Sequence, residues 1–380
     1  MAKADVVVIG GGCMGLGLAR GLAGRGRKVA LLEAGGAARE ASWAAAGMIG
    51  AQSEAMEDDA YFAATVVSRD LWPDYARGLA ADTGADFGFH PEGGLHLAFG
   101  AAYESRLEAK YLWQKTRSGR VERLEKEDLR RRFPFLHPRV SAGYLAHGDY
   151  WVDNRALCRA LEASCRTLGV EIREGCPAEP LEAEGGRVGR VRAGGAEWEA
   201  GDVVVAAGAW STPLLKGLLQ PPPQVSPVKG QMLSFDVPES LLPSVPLHGE
   251  NLYFVPRRTE EGPKLLVGAT VENTGFDKRL TGEGVEYLLQ GSFETIPDLR
   301  SCAIGEFWAG LRPGASDGWP TLGPTPLKGL HLCCGHYRRG ILFLPLTVDS
   351  LVQSVLEGSL PEATRPFAYG RHLEGEGRGL

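Results

Sequence analysis

The sequence lacks most of what would tie a protein to metals, membranes or nucleic acids. Its seven cysteines are odd in number and include no C-x-x-C pair, so neither a disulfide framework nor a zinc cage is signalled. Cys333 and Cys334 are adjacent, a spacing that suits neither chelation nor an ordinary disulfide. All seven read as reduced thiols packed like small apolar side chains. The histidines show no ligand spacing, and no metal is expected. Basic residues number 41 against 47 acidic, a net charge of −6, and the longest Lys/Arg run is residues 130–132. That leaves no footprint for nucleic acid or for an anionic membrane. No apolar stretch approaches the ~20 residues of a membrane span, and residues 6–12 are too short and too near the start for a signal peptide. A G-x-S-x-G elbow is missing, which removes the support for hydrolase chemistry. The absences together predict a cytoplasmic protein with no membrane span and no nucleic-acid partner.

Glycine is abundant instead. The 52 Gly and 24 Pro make up one residue in five of 380, too many helix breakers for a bundle or coiled coil. The glycines have no three-residue period, which excludes collagen. The length exceeds one ordinary hydrophobic core, so two domains are expected.

Residues 5–9 (DVVVI) form an apolar run typical of a strand buried on both faces of a parallel sheet. A glycine-rich turn, a helix over 15–26 and a second run over 28–33 (KVALLE) complete a β-α-β unit. Helices are expected over 59–81, 101–117, 154–168, 283–294 and 344–356. A hairpin broken at Gly93-Gly94 is expected over 87–99. The charged segment 117–132 reads as a solvated face. Short strands like the first are expected over 170–174 and 201–207, and antiparallel strands over 228–235, 253–256 and 264–270. The α/β character thus occurs near the start, in the middle and at the end, on both sides of the break at Pro221-Pro222-Pro223. The reading is an α/β fold: a Rossmann-like domain built from 1–85, 141–222 and 306–365, interrupted by a β-rich (α+β) domain from 86–140 and 223–305. Residues 366–380 form a surface tail.

Gly10-Gly11-Gly12-Cys13-Met14-Gly15 is a G-x-G-x-x-G turn placed directly after a strand and opening a helix. Gly10 makes the tight turn, Gly12 lets backbone approach a pyrophosphate, and Gly15 lets the helix pack on the sheet. The helix N-terminus offers free N–H groups to phosphate. Glu33, followed by Ala34, ends the second strand where a carboxylate holds a ribose hydroxyl and disfavours a 2′-phosphate. FAD and NAD both satisfy this unit. Two runs of small residues follow: Ser42-Trp43-Ala44-Ala45-Ala46-Gly47-Met48, and Ala206-Ala207-Gly208-Ala209-Trp210-Ser211 after a valine strand. The first is placed where backbone could press on a planar ligand.

With Trp308-Ala309-Gly310-Leu311-Arg312-Pro313-Gly314 and Gly335-His336-Tyr337-Arg338-Arg339-Gly340-Ile341, these segments come in an order that resembles the glycine oxidase and D-amino acid oxidase family of FAD-dependent amine oxidases. The last two segments are most similar to glycine oxidase, the branch linked to thiamine biosynthesis. The resemblance implies noncovalent FAD, because no cysteine falls in the WAGLRPG segment. It implies that Arg312 binds the substrate carboxylate, a role suited to a bidentate guanidinium. Tyr253 would be the active-site tyrosine, and Arg338 a second arginine lining the site, with Arg339 the competing candidate. Gly340 and Ile341, followed by Leu342, would face the carbonyl end of the flavin ring. Ala178 would meet the adenine. Asn251 stands where that branch often carries histidine. The small residues Ala46, Gly50 and Val271 suggest a compact pocket. His336 reads as structural as readily as chemical.

The implied reaction is oxidation of glycine, sarcosine or a small D-amino acid, with O2 as acceptor. Hydride passes from the neutral amine to flavin N5, and the imine hydrolyses to a keto acid and ammonia, with hydrogen peroxide as co-product. A quinone-linked D-amino acid dehydrogenase, a catalytically inactive flavin-binding protein and an NAD-linked dehydrogenase are the alternatives. Homo-oligomerisation stays open.

Overall fold

Two large sheets, one largely parallel and one largely antiparallel, divide the chain, with a small two-stranded sheet of Met48–Ile49 and Tyr150–Trp151 beside them. The computed structural model describes residues 2–53, 57–118 and 120–373. In the first sheet the order is Thr321–Pro324, Leu330–Cys334, Ala196–Val205, Ala2–Ile9, Val29–Leu32 and Glu171–Arg173, with Arg190–Ala193 paired onto Ala196–Val205. The four central pairings are parallel. The DVVVI run has its expected cause: Val6 and Val8 enter one core, while Val7 and Ile9 enter another on the opposite face. Helices Cys13–Ala23, Ala60–Thr83, Asn154–Thr167 and Gly340–Glu357 pack together over the first of these cores.

The second sheet runs Ala303–Ala315, Val225–Asp236, Gly262–Gly268, Tyr253–Thr259, Leu247–His248, Gly94–Phe99, Val140–Ala146 and Val121–Glu125. One of its faces is sealed by a core that includes Phe235, Phe254 and Val267 beneath helix Gly282–Thr295.

Several expectations are corrected. The domain limits at 141 and 306 cut strands Val140–Ala146 and Ala303–Ala315, both of which belong to the second sheet. The hairpin over 87–99 is not formed. Gly94–Phe99 pairs instead with Val140–Ala146 and Leu247–His248, partners far away in sequence. The charged segment 117–132 contains an edge strand, Val121–Glu125, and a helix, Lys126–Arg132. Its charges suit an outermost strand, whose free edge must resist pairing with other chains. Of the tail, residues 374–380 lie outside the described residues. The part before them is not surface-laid: Phe367 and Tyr369 are buried, and Arg371 pairs with Asp317 at 2.7 Å.

One helix among the described residues, Tyr337–Glu357, is long and apolar enough to cross a membrane, but 67% of its apolar window is buried. Its apolar side chains pack into the core against helices Cys13–Ala23 and Ala60–Thr83.

Candidate active site

A cleft of about 1580 Å³ lies between the sheets, lined by residues of both. That exceeds the several hundred Å³ of an ordinary small-molecule pocket and is room for a dinucleotide with a substrate beside it.

One wall is the first β-α-β turn. Gly10 has φ +106°, and a Cβ there would lie 2.4 Å from the Ala206 carbonyl oxygen; a Cβ on Gly15 would lie 1.9 Å from the Gly10 carbonyl oxygen. Strand, turn and helix therefore touch backbone to backbone, which only glycine allows. Gly10, Gly12, Cys13 and Met14 line the cleft, whereas Gly15 lies beneath it as packing. Helix Cys13–Ala23 begins without a side-chain cap, although the Cys13 N–H donates to Ser42 Oγ at 2.9 Å. Glu33 is fixed at the end of its strand: its carboxylate accepts the Gly11 N–H at 2.7 Å and the Gly35 N–H at 2.8 Å. Ala34, Ala178, Ala207, Gly208 and Trp210 complete this end.

The small-residue run continues the lining beside this turn. Ser42, Ala45, Ala46, Gly47 and Met48 face the cleft, and side chains behind hold their backbone. Trp308 Nε1 donates to the Ala44 carbonyl at 3.1 Å, and Asn154 Nδ2 donates to the carbonyls of Ser42 at 2.8 Å and Trp43 at 2.9 Å. Arg257, fully enclosed, donates to the Ala46 carbonyl at 2.5 Å and the Val152 carbonyl at 3.0 Å. Burial draws its pKa down to about 10, partly opposed by Asp153.

Helix Gly340–Glu357 points its uncapped N-terminus at the cleft, with Gly340 and Ile341 on the lining. Arg338 and Arg339 both line it too. Arg338 is exposed over the Tyr337 ring, and Arg339 is half-buried, 4.5 Å from the Tyr61 ring centre. The Leu342 side chain does not line the cleft, although its backbone N–H lies in the first turn of this helix. Leu342 is buried away from the cleft, and its carbonyl accepts from Ser68 Oγ and Trp72 Nε1. The helix starts at Gly340 rather than 344, which turns Leu342 into the core. Of the small residues expected at the pocket, Ala46 and Val271 line it and Gly50 does not.

The antiparallel sheet supplies the remaining polar groups. Arg312, half-buried, donates from Nη1 to the carbonyls of Thr270 at 3.1 Å and Lys229 at 3.3 Å. No carboxylate lies within ion-pair reach of it among the described residues. Tyr253 donates to Met232 Sδ at 3.6 Å and sits opposite His248 in the strand register. His248 stacks on His96 with centroids 4.2 Å apart. Burial pushes the His248 pKa down to about 3, with Lys110 adding, and holds His96 well below its usual value. Sequence patterns missed these two histidines because two strands distant in sequence bring them together.

Residues 271–281 cross the rim. Phe276 packs on the Trp210 ring at 5.2 Å, and Lys278 Nζ pairs with Glu40 at 2.8 Å.

His336 is buried, shares a 3.2 Å hydrogen bond between Nε2 and Thr347 Oγ1, and has its pKa pushed down to about 3 by burial. Its neutral form belongs to the folded state, so the unfolded chain binds the extra proton. The stability this carries is complete above the unfolded pKa of roughly 6.5 and drains away as pH falls toward 3. At pH 4.5 the loss comes to about 2–3 kcal/mol. A His336→Gln variant should show an acid-side slope of unfolding free energy shallower by about 1.4 kcal/mol per pH unit between pH 6 and 4.5. Urea titrations across that window measure it, and an unchanged slope refutes the assignment.

The chain matches the family model described as DAO, FAD dependent oxidoreductase, over residues 5–353. It is 37% identical to the bifunctional protein ThiO/ThiG of Trichormus variabilis, over 97% of this chain and 55% of that protein. The chain thus spans about half the length of such fused relatives. It is also 34% identical to the glycine oxidase of Pseudomonas putida, covering 94% of this chain and 95% of that one. The crystal structure of glycine oxidase from Geobacillus kaustophilus superposes with a TM-score of 0.90 at 31% identity, covering 97% and 98% of the two chains.

Proposed function

Starting from the fact that the chain belongs to the DAO family of FAD dependent oxidoreductases, with FAD as its cofactor, we propose that it is an oxidase of glycine and other small amino acids or secondary amines. The observation that carries the reading is Arg312. It is a cation on the lining of the same cleft as the glycine turn, and the described residues offer it two carbonyls and no carboxylate. A carboxylate-bearing substrate supplies the missing partner, and a guanidinium fork fixes such an anion in one orientation.

In this reading the adenosine end of the cofactor lies against Glu33, Ala34 and Ala178. The N-terminus of helix Cys13–Ala23 and Ser42 take the pyrophosphate. Ala45, Ala46, Gly47 and Met48 bear on the ring system, and the N-terminus of helix Gly340–Glu357 faces its carbonyl end, where a positive dipole favours negative charge. When bound, FAD supplies the hydride acceptor at N5 and passes the electron pair to O2. Arg312 holds the substrate carboxylate so that the Cα–H faces that acceptor, and Tyr253 and Arg338 close the site around it. The substrate reacts as its neutral amine, so no protein base is required. Loss of hydride would leave an iminium ion, and water would convert it to the keto acid with release of ammonium, or of the corresponding amine from a secondary amine, while O2 would take up the electron pair and two protons as hydrogen peroxide. Oxygen is the acceptor in this reading. The seven free cysteines support a reducing, cytoplasmic compartment.

The test is peroxide release from the yellow holoprotein across glycine, sarcosine, D-alanine, D-proline and bulkier D-amino acids. Release with the small members, and glyoxylate from glycine, is expected. No release with any of them rejects the reading.

A further inference from the structure

Lys229 is a charged side chain only 1% exposed, on strand Val225–Asp236 beside the strand that carries Arg312. Arg312 stands opposite Val228 in the register, and strand alternation sends Lys229 to the other face. There its Nζ pairs with the Glu272 carboxylate at 2.7 Å and donates to the Arg279 carbonyl at 3.0 Å. Only the lysine end is fully desolvated, since the Glu272 side chain keeps 23% of its surface exposed, and a buried ammonium is costly unless its partners are held in place.

The pair is wired to Arg312. Lys229 and Glu272 exchange backbone hydrogen bonds at 2.9 and 3.0 Å. The other Glu272 oxygen accepts from Gln231 Nε2 at 2.8 Å and from Thr270 Oγ1 at 2.5 Å. Thr270 Oγ1 also accepts the Gln231 N–H at 2.8 Å. These bonds fix the carbonyls of Lys229 and Thr270, the two that receive Arg312 Nη1. Gly230, between Lys229 and Gln231, leaves the space that the guanidinium occupies: a Cβ there would lie 2.3 Å from Arg312 Nη2.

We infer that the ion pair between buried Lys229 and half-buried Glu272 is a positioning device for Arg312, locking the two carbonyls that aim its guanidinium at the substrate carboxylate. Lys229 touches neither substrate nor cofactor and acts through Arg312. The inference rests on Arg312 as the carboxylate anchor.

The experiment uses the FAD-loaded protein and acetate, a carboxylate that cannot be oxidised, titrated against the flavin spectrum. In Lys229→Met, the acetate Kd and the KM for glycine should both rise by about tenfold or more. Flavin content and kcat at saturating glycine should stay within about twofold, a split that general loosening of the fold would not give. Should Lys229→Met not accumulate as folded protein, Thr270→Val reads the same network with the same acetate shift, and Thr270→Ser, which keeps the hydroxyl, restores the wild-type Kd. An unchanged acetate Kd in Lys229→Met or Thr270→Val overturns the inference. So does a fall in kcat and flavin content that accounts for the whole effect. Acetate binding requires no turnover, so a wild-type protein that binds acetate yet leaves glycine untouched rejects the oxidase reading and spares this one. A wild-type protein without an acetate response overturns both Arg312 as anchor and its support.

Discussion

An Arg312→Met variant should lose about a thousandfold in kcat/KM for glycine, equivalent to ~4 kcal/mol, with most of the loss in KM. Methionine keeps much of the side-chain volume and removes the charge and the fork. The Lys229 carbonyl keeps the Glu272 N–H as a donor, and the Thr270 carbonyl, whose residue lines the cleft, can take water in place of Arg312. The fold should survive for that reason, and the thermal midpoint of the holoprotein should move little. An Arg312→Lys variant keeps the charge but offers no bidentate geometry, and should fall between the two. Steady-state kinetics with each variant, at matched flavin content, give the comparison. Wild-type kinetics in Arg312→Met would remove this residue from the site.

The second large effect is expected at Gly47. Its φ is +80°, and a Cβ there would sit 1.9 Å from the Val152 carbonyl oxygen and 3.0 Å from Arg257 Nη2. Alanine would be strained by its backbone angle and would also collide with a fixed main chain, an expense of about 3 kcal/mol. Relief requires moving either the Ala46-Gly47 backbone or the Arg257 bonds that hold it. Either movement disturbs the surface proposed for the flavin ring. Gly47→Ala should therefore bind FAD about a hundredfold more weakly, measured as flavin retained on dilution and as quenching of free FAD fluorescence on reconstitution. Circular dichroism at the same concentrations separates lost cofactor from lost fold. Wild-type FAD affinity in a folded Gly47→Ala protein would contradict the account.

These two residues also mark how far the sequence could be read. Gly10 through Glu33 was legible because every element of that unit is local: an apolar run, a turn, a helix and a terminal acid within about thirty residues. Arg312 was legible through its neighbours in WAGLRPG. What places it was not, since Lys229, Thr270 and Glu272 act through hydrogen bonds between strands whose order no local pattern encodes. The same limit explains the missed strand Val121–Glu125, whose charges read as a solvated face until its pairing with Val140–Ala146 is known. It explains the false hairpin over 87–99 as well, where two glycines suggested a turn but Gly94 opens a strand paired to distant segments. At Leu342 helical geometry turns the side chain into the core, and what the motif offers the cleft there is a first-turn backbone N–H.

In the proposed enzyme this cleft joins a flavin to a small amino acid held by Arg312. The most direct test is the visible spectrum of the FAD-loaded protein mixed anaerobically with glycine or sarcosine. The flavin absorbance should bleach with one equivalent of the small substrate, return when air is admitted with one peroxide formed per flavin, and stay unchanged in Arg312→Met over the same interval. A holoprotein whose flavin remains oxidised with every small amino acid and secondary amine tried would contradict it.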